Sequence, residues 1–137
     1  DARRSIALAL LDPLRDVPGV RLVSLQKGDA AAEAAGWGAD FAGPIAACDD
    51  FMDTAALVAS LDLVISVDTA VIHLAGVLGK PAWLLNRYES EWRWGSAGER
   101  SAWYPSLRIF RQPAPFEWAP VIRRVGDELT ASAPARA

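Results

Sequence analysis

The stretch LVISVDTAVIHLAGVLGKPAW, residues 63–83, constrains the fold more than any other part of the chain. LVISV (63–67) runs without polar–apolar alternation, as expected of a parallel strand covered on both faces. A helix is expected from about Thr69 to Leu78, with Asp68 as its N-cap, Gly79 just past its end and Pro81 as the stop. AWLLN (82–86) then reads as a second buried strand. Strand, short helix and strand in succession make a βαβ unit, and such units build parallel sheets. The same stretch carries His73, the single histidine of the chain, one turn inside a helix that opens with an acid and a hydroxyl.

The flanking sequence extends the pattern. PGVRLVSL (18–25) couples a Pro-Gly turn to a β-branched run and reads as a strand. Leu8, Leu11, Leu14 and Val17 fall at helical spacing and predict a helix from about Ala9, with Pro13 near its first turn. KGDAAAEAAGWG (27–38) is an alanine-rich helix bracketed by glycines. DDFMDTAALVASLD (49–62) is a further helix, with Asp50 or Asp53 as N-cap and Leu61 closing its apolar face. LRIFR (107–111) reads as an edge strand, and FEWAPVIRRVGDEL (116–129) as a terminal helix with Trp118, Val121, Ile122 and Val125 in one stripe. TASAPARA is expected to fray. The fold expected is α/β: a Rossmann-like, three-layer parallel sheet over residues 1–130, then a disordered tail at 131–137. Residues 87–105, RYESEWRWGSAGERSAWYP, have no clear periodicity yet hold Trp92, Trp94, Trp103 and Tyr104. Long irregular loops in compact domains are functional or disordered, and tryptophans argue against disorder.

Composition removes several functions. A net charge of -3 over 137 residues provides no basic field for a polyanion, so nucleic-acid binding is not expected. Asp62 and Asp68 interrupt the longest apolar run, which stays short of the ~18 residues a membrane span needs. Two arginines followed by apolar residues open the chain in the manner of a signal peptide, but Asp12, Pro13, Arg15 and Asp16 cut that run short. Cys48 is alone and makes no internal disulfide, which suits a reducing, cytoplasmic setting. One histidine and one cysteine leave no conventional zinc site.

Chemistry-bearing residues gather at the expected strand ends. In parallel sheets ligands bind beyond the carboxyl ends of strands, where helix N-termini offer free N–H groups and a positive dipole end. Asp68, Thr69 and Ala70 occupy such a junction, and His73 lies one turn on, on the same helix face as Thr69. The same residues also describe an ordinary cap and a histidine covering a helix. No GxGxxG fingerprint is present, so a dinucleotide is not expected. Gln26 and Lys27, in SLQKG (24–28), place an ammonium at another strand end, suited to a pyrophosphate or simply solvated. Asp53 and Thr54 could hold a ribose or cap their helix, and Arg93 within EWRW could clamp a phosphate or plug the sheet end with its tryptophans.

Taken in order, SLQKG, DFMDTAALVASLDLVISVDTAVIHLAGVLGKPAWLL, EWRW and WYPSLRIFRQ resemble the C-terminal half of glycosyltransferases with two Rossmann-like domains, the GT-B fold. The nearest group is the bacterial tetratricopeptide-repeat proteins with a glycosyltransferase-like tail, related to lipopolysaccharide heptosyltransferases and to O-linked N-acetylglucosamine transferases. The resemblance covers roughly residues 4 to 125. It implies a nucleotide-sugar donor, with UDP the preferred nucleotide, and inverting transfer without a metal or other cofactor. It implies that Lys27, with Gln26 beside it, meets the donor diphosphate, that Asp68, Thr69 and Ala70 cradle it, and that His73 lies near it. Asp53 and Thr54 match a helix start near the nucleoside, and Arg93 falls close to the donor crevice.

The resemblance implies an acceptor site, and usually a catalytic base, on an N-terminal domain that nothing here encodes, and the strand that opens the C-terminal domain is not expected in a chain starting at DARRSI. Donor binding, not transfer, is therefore expected of this chain alone, with no catalytic residue assigned and with the N-terminal domain and its repeats as partners. An unfinished sheet edge leaves room for a homodimer. Two other readings stand beside this one: a non-catalytic scaffold module derived from a transferase, and a nucleotide-sugar 2-epimerase-like domain.

Overall fold

A computed structural model provides the fold and describes residues 5–133. A 3-10 turn at Leu8–Leu11 leads into α1 (Asp12–Arg15), followed by α2 (Ala30–Ala35), α3 (Ala39–Ala46) and α4 (Phe51–Ser60). Then come β1 (Val64–Ser66), α5 (Ala70–Val77), β2 (Ala82–Asn86), a 3-10 turn at Trp92–Trp94, β3 (Leu107–Arg111) and α6 (Ala119–Ser132). The strands form one parallel sheet in the order β1-β2-β3, with Val64 opposite Ala82 and Ala82 opposite Leu107.

The absence of alternation in the strands is explained by the two cores they separate. Val64, Ala82, Leu84, Leu107 and Ile109 face Val58 of α4, Ile72 and Ala75 of α5, and Trp94. Leu85 and Phe110 face Leu14, Val17 and the stripe Val121, Ile122, Val125 and Leu129 of α6. Helices on both faces make the three-layer α/β arrangement expected of a Rossmann-like unit. Each large side chain buried this way stabilises the fold by about 1.5–3 kcal/mol. Among the described residues no helix is long and apolar enough to cross a membrane.

Local signals account for the α5 boundaries. Thr69, with extended backbone (φ -141°, ψ 173°), is the N-cap rather than the expected Asp68. At the other end Gly79 adopts φ 67°, and the N–H groups of Gly79 and Lys80 return to the carbonyls of Gly76 and Ala75 at 3.1 and 2.9 Å. That pairing closes the last turn and needs the left-handed backbone that glycine adopts without strain. α4 starts as anticipated at Asp50, whose carboxylate accepts from the Asp53 N–H at 2.8 Å.

Three expectations change. Residues 18–25 form no strand: the Ser24 N–H donates to Phe41 O of α3 at 2.8 Å instead of to a neighbouring strand. The segment still buries Ser24 and packs Val20 and Leu22 on the core, so its apolar pattern reports burial without a ladder. α3 was not anticipated, because Gly43 and Pro44 within it are helix breakers by propensity. Finally, α6 extends to Ser132, beyond the expected helix end, and residues 134–137 of the expected tail lie outside the described residues.

Candidate functional site

The β1–α5 junction is built from hydroxyls and one imidazole. The Ser66 hydroxyl donates to Val67 O at 2.9 Å, so the 3.0 Å contact between Ser66 Oγ and Thr69 Oγ1 is donated by Thr69. Thr69 is thereby turned back toward the strand, and from the N-cap position its side chain makes no cap bond to α5. The positive end of the helix dipole there favours an anionic acceptor from outside. One turn along, His73 Nδ1 lies 2.9 Å from the Tyr104 hydroxyl and Nε2 lies 3.5 Å from Asp68 Oδ1. A carboxylate only accepts, so in the neutral ring both contacts are favourable when Nε2 carries the hydrogen and Nδ1 accepts from the phenol.

Aromatic packing fixes the imidazole further. The Trp94 ring centroid stands 5.3 Å from that of His73, and the Tyr104 ring meets it edge-on at 5.8 Å. The His73 side chain keeps 32% of its surface exposed, so the ring is held without being closed off. Gly76, the next residue on that face, makes room for Tyr104: a Cβ there would fall 2.4 Å from the tyrosine ring.

Lys27 lines a cleft. Its ammonium donates to Cys48 O at 3.2 Å, over a cleft of about 400 Å³ lined by Gln26, Gly28, Ala31, Ala42 and Cys48 among others. Asp68, Thr69, Ala70 and His73 are not part of that lining.

Asp53 and Thr54 serve α4 itself. Asp53 accepts from the Asp49 N–H at 3.0 Å while its own N–H is capped by Asp50, and the Thr54 hydroxyl donates to Asp50 O at 3.2 Å. This reciprocal cap satisfies orphan amides of the first turn. Arg93 pairs with Glu91 at 3.0 Å and lies 5.6 Å over the Trp92 ring, so within EWRW it is Trp94, not Arg93, that meets His73.

Sequence reasoning missed Tyr104 and Trp94 as partners of His73, and it missed Arg111. That guanidinium donates to the carbonyls of Gly95, Ala97 and Gly98 at 3.1, 3.2 and 2.8 Å and also to Trp94 O, stapling the aromatic loop to the end of β3. Burial pulls the Arg111 pKa below its ordinary value. The one available signal was a cation ending a strand opposite a long loop.

Comparison with known proteins bears on what such a site is for. The family model of glycosyltransferase family 9 (heptosyltransferase) matches residues 25–115, which include every site residue named above. Protein FlbA of Caulobacter vibrioides is 37% identical over 134 residues, which cover 93% of this chain. The chain spans 22% of that relative's length. No solved structure matches the chain.

Proposed function

The chain belongs to glycosyltransferase family 9 (heptosyltransferase), and from that premise we propose that it is the nucleotide-sugar-binding half of a two-domain glycosyltransferase of the GT-B kind. In this reading the tetratricopeptide-repeat and O-linked N-acetylglucosamine transferase relatives are its nearest functional neighbours, and the acceptor and catalytic base come from outside the chain. The observation that carries it is the start of α5: an uncapped helix N-terminus with Thr69 turned aside and His73 held one turn in by Asp68 and Tyr104.

Transfer breaks the bond between the anomeric carbon and the diphosphate. The acceptor oxygen attacks that carbon from the opposite side and loses its proton to the external base. The bonding electron pair stays with the diphosphate oxygen. What this chain contributes is stabilisation of that growing negative charge. The dipole at the start of α5 favours an anion by about 0.3–1 kcal/mol. A preorganised donor aimed at developing charge contributes more, about 2.7–4 kcal/mol in measured cases. His73 and Lys27 supply such donors, the lysine by exchanging its single exposed bond to Cys48 O for the diphosphate. The cleft beside Lys27 has the volume of a small-molecule site, for which about 300–1,000 Å³ is usual.

The test is a thermal-shift and calorimetry panel of UDP, ADP, GDP and their sugars on the chain, on Lys27→Ala and on His73→Ala. One nucleotide is expected to raise the unfolding midpoint, with both substitutions weakening its binding about tenfold or more. If no nucleotide raises the midpoint, a scaffold module is the better description, and the packing of Trp94 and Tyr104 over His73 is then its structural signature.

A further inference from the structure

Carbonyls from one stretch of the aromatic loop converge on a single side chain. Trp94, Gly95, Ala97 and Gly98 all present their oxygens to the Arg111 guanidinium, which donates through Nε, Nη1 and Nη2. Gly95 and Gly98 make that convergence possible at φ 67° and 84°, a left-handed backbone that glycine adopts without strain. Arg111 is laddered opposite Asn86 of β2, so the guanidinium is based on a rigid element. The loop is thereby fastened to the sheet immediately beside Trp94.

From there Trp94 acts by packing. It is 2% exposed, and its ring stands 5.3 Å from the His73 imidazole. Its indole N–H is buried without a hydrogen-bond partner. No polar bond of the side chain fixes the ring, so its place follows from its neighbours and from its backbone, which Arg111 grips at Trp94 O. Tyr104, at the far end of the loop, has a separate anchor. Its carbonyl accepts from the Leu107 N–H at 3.1 Å, and its own N–H donates to Ser101 Oγ at 3.1 Å. The two aromatic partners of His73 are thus held by different means, Tyr104 locally and Trp94 through Arg111.

Orientation is open at a histidine unless neighbours set it, because the terminal torsion of the ring is broad and two-fold. The His73 side chain is 32% exposed, so burial alone does not confine it. The Tyr104 bond fixes one point of the ring, Nδ1, and the Trp94 plane, inclined 31° to the imidazole, limits rotation about that point. We infer that Arg111 is a positioning residue for the anion site at the start of α5: acting through Trp94, it holds the His73 imidazole in one plane. Arg111 touches no ligand in this arrangement. The inference rests on the nucleotide-sugar reading of that site and deepens it by naming what preorganises the imidazole. A donor held in place beforehand needs no reorganisation when the diphosphate charge grows, and that is the source of its stabilising effect.

Inorganic pyrophosphate is the probe, with UDP and ADP beside it, followed by calorimetry and by ¹H–¹⁵N and imidazole ¹H spectra well below each variant's unfolding temperature. In the wild type, pyrophosphate is expected to move the Ala70 and Val71 amides and the His73 ring protons. The Arg111 Nε–H and Gly95 amide signals should move over the same concentrations, since coupling between two places is reciprocal. Arg111→Lys is expected to shift the His73 ring protons of the free protein, as the Trp94 ring current changes, and to weaken pyrophosphate binding about three- to tenfold. Loss of stability alone leaves the affinity of folded molecules unchanged, so affinity separates positioning from mere support. Trp94→Leu removes the link: Arg111→Lys made in that background is expected to weaken binding by less than about twofold more. Ile122→Val, in the core on the other face of the sheet, lowers stability without touching the loop and is expected to bind pyrophosphate as the wild type does.

The outcomes separate two failures. If pyrophosphate moves Ala70 and His73, then wild-type affinity in Arg111→Lys, or full additivity with Trp94→Leu, overturns the positioning role alone. If pyrophosphate, UDP and ADP all leave Ala70 and His73 unmoved, the nucleotide-sugar reading falls and the positioning role falls with it. Should the variants not fold, the wild-type spectra decide: Arg111 Nε–H and Gly95 signals that stay still while Ala70 shifts overturn the coupling.

Discussion

Tyr104 reaches across 31 positions of sequence to hydrogen-bond His73, hydroxyl to Nδ1, at 2.9 Å. The bond forms because Gly76, one turn beyond His73 on α5, leaves the tyrosine ring somewhere to lie. Together with Asp68 at Nε2 it sets one tautomer of the imidazole. The single histidine is therefore placed by the loop before β3 as much as by its own helix.

Removing the phenol hydroxyl tests that link. Tyr104→Phe is expected to cost about 0.5–1.5 kcal/mol of stability, the net worth of one hydrogen bond. Imidazole ¹⁵N shifts of the neutral ring should show one tautomer in the wild type and a mixture in the variant. Identical shifts in the two proteins would mean that Asp68 alone orients His73.

Two helical glycines should respond in opposite directions to alanine. At Gly76 the new Cβ would lie 2.4–2.7 Å from Tyr104 ring carbons, so the ring must move off His73. The expected loss is about 1–3 kcal/mol, as for other overpacked cores. At Gly126 of α6 the Cβ would meet Leu14 Cδ2 at 3.6 Å, an ordinary contact. Gly126→Ala should gain about 0.5–1 kcal/mol from reduced backbone freedom. Denaturant midpoints of the two variants decide it.

Arg111 is expected to hold the aromatic loop. Arg111→Ala should cost about 1.5–3 kcal/mol, the range for hydrogen bonds to a charged group. Arg111→Lys keeps the charge but cannot fork to the carbonyls of residues 94, 95, 97 and 98, so it should recover less than half. Limited proteolysis between residues 95 and 100 offers the local readout: cleavage in both variants should be faster than in the wild type.

The ion cluster under α6 predicts a pH dependence. Arg108 bonds Glu128 at 3.0 Å and Glu99 at 3.4 Å, and Glu99 also takes Arg124 at 2.8 Å. The bond from Arg108 holds the Glu128 carboxyl below its usual value near 4.5 and pushes the guanidinium up. A carboxyl depressed in the folded state binds fewer protons there than in the unfolded chain near pH 4.5. Its stabilisation is complete above that pH and is lost as the pH falls through the depressed value. Glu128→Gln should therefore lower the melting temperature slightly at neutral pH, with the difference closing on acidification. Melting curves from pH 7 down to about pH 2 supply the check, since the ordinary carboxyl titrates near 4.

The layered α/β architecture was legible in the chain because it depends on local and periodic features. LVISV and AWLLN lack alternation because both sheet faces are covered, and Gly79 and Pro81 end α5 by backbone chemistry that needs no distant partner. The stripe of α6 and the cap at Asp50 were readable for the same reason. Where a side chain's partner lies far along the chain, nothing local announces it. The contacts of His73 with Tyr104 and Trp94 and the fan of Arg111 over the loop arise only when β2 and β3 pair and bring residues 94–104 back over α5.

Residues 18–25 show the converse. A β-branched run states that a segment will be buried, but a strand exists only where a neighbouring backbone offers its hydrogen bonds, and Ser24 finds Phe41 O of α3 instead. Composition and periodicity thus determined the layers and the helix ends, which short-range sterics and burial suffice to specify. Tertiary packing decided which charged and aromatic groups share a site, because that depends on where long-range backbone pairing stops.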